Sequence, residues 1–217
     1  MTNIQQIVNT FLNQRPDIRL SMGNDLINKS ALAKYIIKKK KLSSNMDAVV
    51  SAIRRYDLKS ADDVYFNAKK ILTEIADIST RTKMVIVTLG KEIEIMNLIP
   101  KLYALIDHEK GELLRVVHAN QYLKIIINKN NLEKLKEIIP DEKINSIVSL
   151  SEINIRFKRV ADNIPGPISI LINELAINKV SIIEMITCFP EVIIYTFEKD
   201  LITGFHALQQ LSIQDCK

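Results

Sequence analysis

Cysteine is scarce in this 217-residue chain. The two present, Cys188 and Cys216, cannot form a disulfide framework and have no metal-ligand spacing. Three histidines, His108, His118 and His206, are scattered without an HxH or HExxH pattern. No apolar run reaches the ~18–20 residues needed to cross a bilayer. The opening stretch, MTNIQQIVNTFLNQR, has neither the basic start nor the long apolar core of a signal peptide. No Ser/His/Asp spacing, P-loop, Rossmann fingerprint or metal cluster is present, so no catalytic residue is named and no metal or cofactor is expected. Together these absences predict a reduced, soluble, cytoplasmic protein that is not an enzyme.

What is present is a globular composition, 47% hydrophobic and 25% charged, with a formal charge of +5. The length suits one large domain or two small ones. The charge is uneven. Residues 1–80 hold 13 Lys/Arg and 8 Asp/Glu and carry the whole excess, while residues 81–217 are balanced at 17 of each. Within 15–59 there are 11 basic residues against 4 acidic. A basic first segment before a neutral remainder suits a partner-facing end, and it equally suits a well-solvated Lys-rich surface.

The apolar positions Ile4, Ile7, Val8, Phe11 and Leu12 recur at helical spacing, and Pro16 ends that helix. A second helix is predicted from an N-cap at Ser30, running into Lys38-Lys39-Lys40-Lys41. A third starts from Ser44 or Asn45, with Met46, Val49, Val50 and Ile53 inward and Asp47, Ser51, Arg54 and Arg55 outward. Three helices with a polar turn between the last two fit a helix-turn-helix over residues 1–58. A connector segment, 59–80, is predicted with a helix from about Ala61 to Ile78. The first β-rich run is Met84–Leu89.

Beyond residue 80 the order of elements repeats. Each unit, 81–150 and 151–217, reads strand, helix, strand pair, helix, and an offset of 69 lays Leu123–Ile126 on Val192–Tyr195. A closing strand is predicted near 145–150 for the first unit. Only Gln209–Lys217 remains to supply one for the second. The predicted class is α+β, a three-helix helix-turn-helix-like domain followed by two ferredoxin-like βαββαβ units whose edge strands adjoin.

Within the second unit, Ala161-Asp162-Asn163-Ile164-Pro165-Gly166-Pro167-Ile168 leads into an apolar helix, and Asn178–Met185 follows as the next strand. This resembles an ACT domain, whose hallmark is a strand ending in an Asp/Asn-x-Pro-Gly loop, then a helix, then a strand entered through a small polar turn. With Lys29–Ile36 and Asn45–Tyr56 in front, the whole is similar to predicted archaeal regulators of amino-acid metabolism. That resemblance implies an amino-acid ligand, a helix-turn-helix on double-stranded DNA, and a homodimer or higher oligomer through the ACT-like sheets, with no membrane partner.

The resemblance implies a ligand site at Asp162, Asn163, Ile164, Pro165, Gly166 and Pro167, with Ile182 as an apolar wall. Gly166 has no Cβ to obstruct a ligand, and amides at the helix start can hold a carboxylate. The loop is one residue longer than D-x-P-G, and Pro167 lacks an amide donor. A plain strand-to-helix turn, with Pro at the first helical position, explains the same residues. In the first unit the corresponding Gly90-Lys91-Glu92 has no Pro-Gly and is read as a structural copy. For DNA, Ser51, Arg54 and Arg55 would lie on a recognition helix and Lys38, Lys39, Lys40 and Lys41 on phosphates. Asp47 at the helix start opposes that reading. The alternative is a subunit that regulates a biosynthetic enzyme without touching DNA.

Overall fold

The computed structural model describes residues 3–43, 45–58, 61–158 and 165–212. The chain divides into two compact units, a helical one that takes in residues up to Lys70 together with the turn ending at Pro167, and a sheet-containing one made of the rest.

Four short helices are described within residues 1–58, where the sequence predicts three: α1 (Ile4–Asn13), α2 (Pro16–Gly23), α3 (Lys29–Lys40) and α4 (Met46–Arg54). Pro16 ends α1 as expected and also starts α2, since a ring at the first helical position costs no hydrogen bond. The cap of α3 is Asn28, not Ser30. Its side-chain oxygen accepts from the amides of Ser30 and Ala31 at 2.9 and 3.1 Å. Asn45 caps α4 by accepting from the Asp47 amide at 3.2 Å. Lys41 ends α3 in the left-handed region, φ +50°. There the Leu42 amide reaches back to the Ile37 carbonyl at 3.0 Å. Val8, Phe11, Leu12, Ile18, Met22, Leu32, Ala33, Ile36, Val49, Ala52 and Ile53 bury one another as the core of this unit.

The expected connector helix is shorter than the sequence suggested. Helix α5 (Ala61–Leu72) stops six residues early, and strand β1 (Ile75–Gly90) is already under way at Ile78. The first half of β1, Ile-Ala-Asp-Ile-Ser-Thr-Arg, has no apolar alternation and is largely exposed. It is a strand because a neighbour supplies its ladder, a tertiary effect that overrides local pattern.

After β1 come α6 (Ile93–Met96), α7 (Ile99–Tyr103), β2 (Leu114–His118), β3 (Tyr122–Asn128), α8 (Leu132–Ile138), β4 (Ile144–Phe157), α9 (Pro167–Ile177), β5 (Ile182–Cys188), β6 (Glu191–Thr196) and α10 (Leu201–Ser212). The single helix expected near 93–107 is split, with Pro100 in the first turn of α7. The six strands form one antiparallel sheet in the order β2-β3-β1-β4-β6-β5.

The two strands expected near 145–150 and 152–159 are one continuous strand, β4. Its first half pairs with β1 at Met84↔Leu150 through Thr88↔Ser146, closing the first repeat. Its second half starts the second repeat and pairs with the first half of β1, Ile78↔Ile155 through Arg81↔Glu152. The early part of β1 therefore supplies the closing strand of the second repeat. Each repeat then has the same strand order, and the two fuse through shared strands. The 69-residue offset carries β3 onto β6 and the 3-10 turn Lys129–Asn131 onto Glu198–Asp200.

Residues paired across a ladder share a face, as do alternate residues along a strand. Val85, Val87, Leu89, Leu123, Ile125 and Ile127 pack with Ile95, Leu102 and Leu135 from α6, α7 and α8. Val85 pairs with Ser149, on the same face as Ile153 and Ile155. A Cβ at Gly204 of α10 would lie 3.0 Å from Ile153 and 3.4 Å from Leu175 of α9. Helices α6 to α10 thus share one face of the sheet. On the other face Met84, Ile86, Ile126, Leu150, Ile193 and Tyr195 bury one another, joined by the partly buried Leu113, Val117, Val148 and Ile186. These residues belong to strands or, in the case of Leu113, adjoin one.

Candidate functional site

The turn into α9 is the first candidate. Asp162, Asn163 and Ile164 lie outside the described residues. Pro165 is exposed and Gly166 half-buried, and Pro167 is the first residue of α9. Gly166 has φ +107°, a conformation that a residue with a Cβ enters only under strain. Glycine is thus required here by the backbone itself, with or without a ligand. Ile182, half-buried, opens β5 opposite Thr196. The Thr196 hydroxyl donates to the Ser181 carbonyl at 2.8 Å, which fixes the entry to that strand.

The corresponding turn of the first repeat spends its charges internally. Lys143 pairs with Glu92 at 2.5 Å, and the Lys91 ammonium donates to the Ala119 carbonyl at 3.3 Å. The Glu92 carboxylate raises the pKa of Lys143 above the ordinary lysine value. Beyond this turn, Glu112 accepts from the Asp107 amide at 3.0 Å and from the buried Asn131 side chain at 2.8 Å. The Asp107 amide, then Asn131, holds the Glu112 carboxyl below its ordinary pKa.

The second candidate was missed by sequence reasoning. On the helix-free side of the sheet, Arg115 of β2 donates to both Glu152 of β4 and Tyr195 of β6. A second Arg115 nitrogen lies 3.3 Å from Glu152. Lys124 of β3 pairs with Glu184 of β5. The Glu152 and Tyr195 side chains are buried, whereas Arg115, Lys124 and Glu184 each keep some exposure. Burial, then the charge of Glu152, pushes the Tyr195 phenol above the ordinary tyrosine range, against the opposing pull of Arg115. Burial works against the charge on Arg115, but the hydrogen bond and charge of Glu152 outweigh it and raise its pKa. The available signal was a charge set among mostly apolar strand residues: Leu114-Arg115-Val116, Leu123-Lys124-Ile125, Ser151-Glu152-Ile153 and Ile183-Glu184-Met185.

Those contacts define the shape of the sheet. Neighbouring strands lie about 4.8 Å apart, so β3 and β5, four steps apart in the order, would be about 19 Å apart if the sheet were flat. A lysine and a glutamate cannot together span that distance. The sheet is therefore curled into a half-barrel, with the charged side chains across its mouth and the apolar cluster inside.

In the helical unit, Lys38, Lys39, Lys40, Lys41, Ser51, Arg54 and Arg55 are all exposed. Lys38, Lys39 and Lys40 occupy the last turn of α3, where cations also favour the helix dipole. Asp47 sits in the first turn of α4, where an anion is favoured for the same reason. A cavity of about 380 Å³ is lined by Asn3, Gln6, Ile7, Thr10, Lys40 and Leu42. Among the described residues, no group of three or more His, Cys, Asp or Glu side chains is placed to hold a metal ion, and no helix is long and apolar enough to cross a membrane.

Comparison with protein-family models found no match, and comparison of the sequence with curated proteins found none. Solved structures do match. The regulatory subunit of aspartate kinase from Thermus flavus covers 64% of this chain and 98% of its own length, at 10% identity and a TM-score of 0.50. The ligand-free regulatory subunit from Thermus thermophilus covers 65% and 99%, at 10% identity and 0.50. Aspartate kinase from Clostridium acetobutylicum, described as an allosteric enzyme, matches 64% of this chain with 35% of its own, at 14% identity and 0.51. This chain shares the fold of aspartate kinase regulatory regions. The paired ACT-like units expected from the sequence agree with that fold, and at such low identity the likeness extends no further than fold.

Proposed function

We propose that this chain is an amino-acid-responsive regulatory protein in which the paired ACT-like repeats bind a small amino acid and pass the binding event to a partner enzyme of biosynthesis. The observation that carries this reading is the fused pair of βαββαβ repeats, the fold also found in aspartate kinase regulatory subunits. The proposed ligand site is the turn into α9, comprising Asp162, Asn163, Ile164, Pro165, Gly166 and Pro167. Ile182 is included on the resemblance alone. The internal pairing of Lys91, Glu92 and Lys143 supports assigning the ligand to the second repeat rather than the first. A ligand acts by binding one arrangement of the repeats more tightly than another, and that differential affinity is all it can contribute.

A thermal-shift screen of the full chain against each of the twenty amino acids tests the reading. A native-state ligand at about 100 times its Kd adds roughly 2.7 kcal/mol of stability. At least one amino acid should raise the melting temperature, and Asp162→Ala, which leaves the backbone requirement at Gly166 untouched, should remove that shift while the protein stays folded. A flat response to all twenty at millimolar concentration refutes it.

The exposed cations at Lys38–Lys41, Arg54 and Arg55 favour a second reading, in which α3 and α4 act as a helix-turn-helix on duplex DNA. Binding would weaken steeply with salt, because phosphate neutralisation releases counterions. Titration onto duplex DNA at several salt concentrations decides it. Affinity that is unchanged when those cations are neutralised removes this reading and leaves the first intact.

A further inference from the structure

The five charged or phenolic side chains across the mouth of the half-barrel divide cleanly between the repeats. Arg115 and Lys124 come from the first repeat, on β2 and β3, while Glu152, Glu184 and Tyr195 come from the second. The 69-residue offset puts Arg115 and Glu184 at the same repeat position, a cation in one copy and an anion in the other. The two repeats are thus complementary in charge exactly where their hairpins meet, though near-identical in element order.

Strands β2 and β5 end the sheet on opposite sides, and no ladder joins them among the described residues. What draws the two edges together is side-chain chemistry. The contacts differ in how far water reaches them: Lys124 and Glu184 side chains are 32% and 19% exposed, against 20% and 4% for Arg115 and Glu152. Water and salt therefore weaken the outer pair before the inner one.

We propose that Lys124–Glu184 and Arg115–Glu152–Tyr195 form an electrostatic latch between the repeats, whose release lets the β2–β3 hairpin move away from the β5–β6 hairpin. The closed latch covers Met84, Ile86, Ile126, Leu150 and Ile193, and an open one uncovers them. On its helix-covered side the first repeat has its own apolar core, to which β3 contributes Leu123, Ile125 and Ile127, and that core moves with the hairpin as one body. The latch is independent of any ligand at the turn into α9, so its test and the amino-acid screen succeed or fail separately.

Hydrogen exchange of the full chain, read by mass spectrometry, tests it on Lys124→Glu, Glu184→Lys and the double exchange that restores an ion pair with reversed polarity. Each single variant sets two like charges against each other. Exchange in the β2–β3 and β5–β6 segments should rise by about tenfold or more, and the double variant should return to within about threefold of the parent, as expected for two groups whose effects couple through direct contact. Segments covering α7 and α8 should not change. Singles that leave the hairpins protected, or a double as open as the singles, overturn the latch. If a single variant loses protection throughout, Lys124→Ala with Glu184→Ala removes both charges and their contact without repulsion and without an apolar replacement. A rise confined to the two hairpins supports the latch, and a uniform rise or none overturns it. Raising salt toward 1 M shortens the screening length to about 3 Å. It should open the parent hairpins and leave the Ala pair unchanged, and the opposite result counts against the latch.

Discussion

Arg115→Met is the perturbation whose size follows most directly from the structure. The substitution keeps an unbranched apolar stem against the sheet and removes the guanidinium. Glu152, whose side chain is only 4% exposed, then loses its cationic partner, and Tyr195, fully buried, loses the donor to its oxygen. Breaking a buried ion pair from one side costs about 3–5 kcal/mol, mostly through the charge left behind. Arg115 itself is 20% exposed, so water compensates in part and the lower end, about 3 kcal/mol, applies. That corresponds to an opening constant larger by roughly two orders of magnitude, at about 1.4 kcal/mol per factor of ten. Because the helical and sheet units need not unfold together, the assay is native-state hydrogen exchange at the amides of β4 and β6. A second variant isolates the cause. Arg115→Met with Glu152→Leu and Tyr195→Phe removes every polar member, and replacing a buried polar set by apolar residues of similar volume is often neutral or stabilising. It should recover most of the lost protection. A loss below about 1 kcal/mol for Arg115→Met, or a triple variant no better than the single, would refute the claim that an abandoned buried carboxylate sets the cost.

Three smaller effects follow from local geometry. Lys41→Gly should stabilise the helical unit by about 0.5–1 kcal/mol in urea unfolding, because a residue with a Cβ holds the left-handed end of α3 at a cost that glycine avoids. Asn28→Ala should destabilise the same unit by about 1 kcal/mol, since the amides of Ser30 and Ala31 share that one cap. Glu112 has a carboxyl pKa held below its unfolded value by the Asp107 amide and Asn131, so its contribution is complete above the ordinary glutamate pKa of about 4.3. That contribution is lost as the pH falls through the lower folded value. The stability difference between parent and Glu112→Gln should be constant above about pH 5 and shrink in acid, and a difference that grows in acid would contradict this assignment.

Much of the fold was legible in local patterns. The run Met84–Leu89 marked a buried strand, Leu123–Ile126 and Val192–Tyr195 marked the repeat, and Pro167 marked the start of α9. The early half of β1 was not legible, because Asp77 and Ser79 carry no strand signal and the segment depends on a ladder from β4, more than 70 residues away. Helix α2 was hidden for a different reason: Pro16 is both an ending and a beginning, and the sequence pattern displays only the ending. The candidate site divides in the same way. Gly166 was singled out for the close approach of a ligand, whereas the structure shows a different need, a backbone at φ +107° that glycine alone adopts without strain. Arg115, Glu152 and Tyr195 lie 37 and 80 residues apart in pairs that only the curled sheet brings together. No short-range spacing could have linked them.

The most direct measurement of the central claim is hydrogen exchange of the full chain with and without each amino acid at millimolar concentration. The account predicts that at least one amino acid protects the start of α9, around Gly166, with segments of the helical core before Arg54 unchanged. Exchange unaltered throughout the repeats by every amino acid, or protection confined to the turn at Gly90–Glu92, would contradict it.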